Sequence, residues 1–133
     1  MKNEVVSFEV AKELSKIEDF TDKCYFGYVT EFNKKTNDFD IVLYLKEYPG
    51  PKNNVTKVSA YRDYLAPTIQ HLRKWLAKNK GVTYTITYNN DNKTWNGKLF
   101  FPNNEYHICP AKENTYEEIE NDILFNILKH LNK

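Results

Sequence analysis

"LAPTIQHLRKWLAKNKGVTYTIT", residues 65–87, decides the fold class because its apolar period changes halfway along. In the first part Leu65, Ile69, Leu72 and Leu76 fall on one helical face, with Trp75 on its flank. That spacing predicts a helix with one buried side. Pro67 suits the first helical position, where a missing N–H costs nothing, and Gly81 suits the C-terminal cap. Beyond the glycine the period becomes two. Val82, Tyr84, Ile86 and Tyr88 alternate with threonines, as in a strand with one face on a core and one in water.

Working outward, the turn "NNDNK" (89–93) leads to a second strand, "TWNGKLFF" (94–101). "EYHIC" (105–109) reads as a further strand stopped by Pro110. The last segment, 115–133, opens with a capping box of Thr115 and Glu118 and carries Ile119, Ile123, Ile127 and Leu131 as a buried stripe. Upstream, Ser7 caps a helix reaching about Ile17, with Val10, Ala11 and Leu14 at helical spacing. "KCYFGYVTEF" (23–32) and "DFDIVLYLKEY" (38–48) read as an antiparallel hairpin, and "VTKVSAY" (55–61) as a third strand. The expected architecture is one α+β domain over residues 1–133. It has an antiparallel sheet of four to six strands and three helices in the order α-ββ(β)-α-ββ(β)-α.

Composition narrows the function classes. Ten Tyr, eight Phe and two Trp against four Gly in 133 residues suit a packed domain and argue against disorder. A net charge of +1 supplies no general field for polyanions or anionic membranes. Among nineteen basic residues only Arg62 and Arg73 are Arg, the side chain that reads guanine edges in pairs. No segment approaches the length of a membrane span and none reads as a signal peptide. The expectation is a cytoplasmic protein with no membrane partner, in which Cys24 and Cys109 are reduced thiols.

Four stretches together carry a resemblance: "SFEVAKEL", "CYFGYV", "APTIQHLRKWL" and "TYEEIENDILFNILKHL". The chain resembles a family of small, uncharacterised phage and prophage proteins of gut Bacteroidota, with an "APT…KWL" helix before a hairpin and a "TYEE" helix at the end. It departs from that pattern in the longer loop around "KEYPGPKNN" and in Ile119, where relatives often carry Ala. The resemblance implies a phage accessory role inside a bacterial host cell. It carries over no catalytic residue and no cofactor.

The candidate sites are few. Arg73, Lys74, Lys78 and Lys80, with His71, form a basic face that could pair with phosphates, with Tyr61 and Tyr64 as stacking platforms. Lys34, Lys35, Lys52 or Lys57 would have to extend that patch. A polar face on a surface helix, with Lys near its C-terminus, accounts for the same residues. His107 and Cys109 sit two apart, with Cys24 or His71 as further ligands. Even so, the usual zinc spacings are absent, and no metal or cofactor is expected. Asp38 and Asp40, and Glu117, Glu118, Glu120 and Asp122, offer carboxylates without any phosphate loop or nucleophile elbow, so no enzyme is expected. Phe125, Tyr44, Val42 and Phe100 fall on the outward sides of their elements. Exposed aromatics of that kind mark protein interfaces. The resulting expectation is a non-enzymatic protein that binds a host protein, or pairs as a homodimer, through these residues. A nucleic-acid-binding regulator using the helix at 67–80 is the alternative.

Overall fold

The computed structural model describes residues 5–22, 24, 26–45, 63–112 and 115–133. Among the described residues the architecture is α+β, with three α-helices and two antiparallel three-stranded sheets. The chain divides into two compact units, Met1–Thr68 and Ile69–Lys133, each holding one of the sheets.

In the first unit, α1 (Phe8–Leu14) starts at Ser7, whose hydroxyl accepts from the Val10 N–H at 3.3 Å. The helix stops short of the expected Ile17. Lys16 and Ile17 donate to the carbonyls three residues back instead, a tight final turn that still buries Ile17. Strand β1 (Phe26–Asn33) pairs with β2 (Asp38–Leu45) from Phe26↔Leu45 to Asn33↔Asp38. On its other side β1 pairs with β3 (Asp63–Ala66). The Phe8 ring lies 5.7 Å from both Tyr28 and Tyr64, edge to face, and fastens α1 to this sheet.

Strand β3 corrects the reading of the decisive stretch. Leu65 belongs to a strand, not to the helical face with Ile69. The cause is Pro67, which disfavours helical geometry at the residue before it and so holds Ala66 extended. Pro67 itself lies before the helix: its carbonyl accepts from Val6 N–H at 3.0 Å, and Thr68 forms a bridge with Val5. The strand expected at 55–61 lies outside the described residues.

The second unit begins with α2 (Ile69–Lys80), which buries Ile69, Leu72, Trp75 and Leu76. Gly81 follows at φ +68, the left-handed turn that ends the helix. Strands β4 (Thr83–Asn89), β5 (Thr94–Phe100) and β6 (Tyr106–Lys112) then form a meander in spatial order. At the first turn the Asn89 side chain accepts from the N–H groups of Asp91 and Asn92. At the second, Asn103 and Asn104 take positive φ and Phe101 N–H closes on the Glu105 carbonyl at 2.8 Å. Helix α3 (Tyr116–Leu131) carries the expected capping box and packs on the sheet. Ile119, Ile123, Leu124, Ile127 and Leu128 are fully buried, whereas Leu131 is half-exposed.

Pro110 does not end β6, contrary to the expectation from its missing donor. Gly97 pairs with Cys109, but the next pair is Trp95 with Lys112, so β6 holds one extra residue there. That bulge lies on an edge strand, where a residue without an N–H is tolerated.

Candidate functional site

Strands β5 and β6 present two chemically different faces. Partner residues across an antiparallel pair share a face, so Leu99 with His107 and Gly97 with Cys109 point one way, and Lys98 with Ile108 and Phe100 with Tyr106 the other. Leu99 and Cys109 are buried, which identifies their face as the one under α3.

The outer face carries exposed apolar side chains that no described residue covers. Ile108 is 67% exposed, Tyr106 55% and Phe100 36%. The Phe100 and Tyr106 rings lie 6.5 Å apart, and the Lys98 ammonium sits 4.5 Å from the Tyr106 ring centre. Burying such side chains would be favourable, and the face that holds them has water on it instead.

The inner face ends in a hollow of mixed polarity. The tight turn after Phe101 sets Glu105 two residues before His107, and the last turn of α3 brings in His130. Glu105 Oε2 lies 3.4 Å from His107 Nε2. The two imidazole rings are 5.2 Å apart, with Phe101 packed 4.4 Å from His130 and 5.2 Å from His107. The hollow, about 330 Å³, is lined by both histidines and Phe101 together with Cys109, Asn126 and Lys129, and Glu105 stands just outside it. The Asn126 amide donates to Cys109 Sγ at 3.5 Å, and Cys109 is buried. At the other end of α3, Trp95 packs against Tyr88 and Tyr116 at 4.7 and 5.3 Å.

The residues expected at sites are scattered across the two units. Phe100 is on the outer face, joined there by Tyr106 and Ile108. Phe125 is not with them: it lies half-buried on α3, the layer against the opposite face of the sheet, 5.6 Å beneath the Lys129 ammonium. Val42 and Tyr44 occupy β2 positions opposite Val29 and Gly27, and their side chains lie outside the described residues. On α2, Arg73, Lys74 and Lys78 are exposed, and Lys80 is half-buried. Arg73 stacks over the Tyr84 ring at 4.9 Å and Lys80 over Trp75 at 5.8 Å, so two of the four cations face aromatic rings of their own unit. Tyr64 is half-buried against Phe8 rather than displayed as a stacking platform. Lys34 and Lys35 occupy the β1–β2 turn, and Tyr61, Lys52 and Lys57 lie outside the described residues.

Among the carboxylates, Asp38 and Asp40 are exposed on β2, Glu118 closes the α3 cap, and Glu120 is buried against Tyr84. The metal ligands imagined around Cys109 and His71 are not the ones assembled. Among the described residues, Glu105, His107 and His130 bring three ligand atoms within 4.8 Å of one another. Strand alternation could have joined Glu105 to His107, and likewise Tyr106 to Ile108. Only the packing of α3 could have added His130. No protein-family model, curated protein or solved structure matches the chain.

Proposed function

We propose that this chain is a non-enzymatic binding protein that docks another protein on the outer face of its second sheet. The observation that carries the reading is the trio Phe100, Tyr106 and Ile108, exposed side by side around Lys98. Aromatic and aliphatic anchors next to one cation have the composition of an interface centre rather than of ordinary surface. The family resemblance supplies the setting: a phage or prophage accessory protein in a bacterial cytoplasm, with a host protein as partner. Occupying a host defence or regulatory component by a rigid face needs no catalytic group. A second copy of the chain could use the same face.

The test is capture from bacterial lysate by tagged protein, after nuclease treatment, with wild type and a Tyr106→Ser/Ile108→Ser variant. The reading expects a stoichiometric host protein retained by wild type and lost by the variant, with circular dichroism unchanged. Equal capture by both would remove this face from consideration. Light scattering of the free protein separates self-association from capture: a dimer dissolved by the same two changes makes the partner a second copy.

A further inference from the structure

We propose that Glu105, His107 and His130 form a binding site for a zinc-class divalent cation, contrary to what ligand spacing in the sequence implied. Two imidazoles and a carboxylate are a donor set that zinc accepts, at about 2.0–2.2 Å from each atom. In a tetrahedron of that size neighbouring ligand atoms are about 3.4 Å apart. The separation of Glu105 Oε2 from His107 Nε2 is 3.4 Å, so this edge is already in place. All three ligand atoms lie within 4.8 Å of one another, so His130 closes the site by moving inward by on the order of 1–2 Å, a side-chain adjustment.

The surroundings support the assignment. Phe101 packs on both imidazoles and limits their rotation. The backbone of Glu105 and His107 is held by the closed turn and the β5–β6 register, and that of His130 by a helix whose preceding residues, Ile127 and Leu128, are fully buried. Cys109 lines the same hollow but lies outside the ligand group, with its sulfur held by Asn126. With Cys109 outside the group, three protein ligands leave the fourth position to water or an incoming oxygen donor. With Lys129 on the rim, an anionic donor is favoured there. Three protein ligands and one open position distinguish this arrangement from a closed structural site. A bound ion would tie the β6 edge to the last turn of α3. Glu105 and His107 alternate along the chain with the docking residues Tyr106 and Ile108, and Ile108 borders the hollow as well. Metal titration of the free chain needs no docking partner, however, so its failure and that of the docking proposal are distinguishable.

The test is calorimetric titration of the purified full chain with zinc chloride, paired with the visible spectrum of the cobalt(II) complex. Wild type should bind one ion per chain and give the intense bands of four-coordinate cobalt. Affinity should fall with falling pH, as protons compete for the imidazoles. His107→Ala, His130→Ala and Glu105→Gln should each weaken binding by more than about tenfold. Absence of saturable binding, or binding that survives in the His107→Ala/His130→Ala double variant, overturns the assignment. Glu105 is largely exposed, so Glu105→Gln keeps the fold and decides the assignment even if a histidine variant fails to fold.

Discussion

The Tyr84 hydroxyl on β4 donates to Glu120 Oε2 on α3 at 2.6 Å, joining sheet and helix inside the second unit. Tyr84 is 3% exposed and Glu120 7%, so neither group has water as a substitute. Removing the donor strands a buried carboxylate, whereas converting the carboxylate to an amide keeps an acceptor. Tyr84→Phe should therefore cost about 1–3 kcal/mol, and Glu120→Gln clearly less. Urea unfolding of the two variants measures both. Equal losses would mean that the pair acts only through packing.

The same hydroxyl sets an alkaline limit to stability. Burial first, then the hydrogen bond to Glu120 and that residue's charge, push the Tyr84 pKa far above its ordinary value of 10.0. Burial and the charge of Glu9 also raise Tyr28, whose hydroxyl donates to the Val6 carbonyl at 2.7 Å. For a raised pKa the stabilisation is complete below the unfolded value. Above about pH 10 the unfolded chain releases protons that the folded chain retains, so stability falls as pH rises. The unfolding midpoint should hold steady up to about pH 9.5 and then drop, with a slope from Tyr84 alone of up to about 1.4 kcal/mol per pH unit. Tyr84→Phe should make that decline shallower. An identical alkaline decline in the variant would locate the effect elsewhere.

Gly97 is the contact point of sheet and helix. A Cβ there would overlap Ile123 Cδ1 and lie 2.7 Å from Ile123 Cγ1 and 3.3 Å from Cys109 Cβ. Ile123 is fully buried and cannot retreat into solvent. Gly97→Ala should destabilise by about 1–3 kcal/mol through overpacking. Gly97→Ala combined with Ile123→Val or Ile123→Ala should recover part of the loss. If the single substitution is neutral in thermal unfolding, α3 does not pack on β5 as described.

Much of the frame is legible in the sequence because its signals are local. The Thr115–Glu118 box, the Ser7 cap, the Gly81 stop and the alternation through Tyr84 and Ile86 depend on neighbours a few residues apart. Leu65 misleads because a strand residue just before a proline can also fall at helical spacing from Ile69 and Leu72. Pro110 misleads because a bulge is a property of two strands, and the missing partner, Trp95, is fifteen positions away. The site is less legible for the same reason. Alternation can place Glu105, His107 and Cys109 on one face of β6. That His130 reaches the first two, and that Phe125 and Phe100 belong to opposite layers, follows only from α3 packing across the sheet.

The basic face of α2 offers a last discrimination. Arg73 lies 4.9 Å above the Tyr84 ring, whereas Lys78 is exposed in the final turn, where a cation suits the helix dipole. If this face is structural, Arg73→Ala should lower stability by about 0.5–1 kcal/mol through loss of the cation–π contact. Lys78→Ala should change it by less than about 0.5 kcal/mol. Neither substitution should alter retention on a single-stranded oligonucleotide at physiological salt, because a chain of net charge +1 releases few counterions. Tight retention that weakens steeply with salt and is lost in Arg73→Glu/Lys78→Glu would reverse that assignment. The aromatic contacts of α2 would then be supports that aim its cations at phosphate.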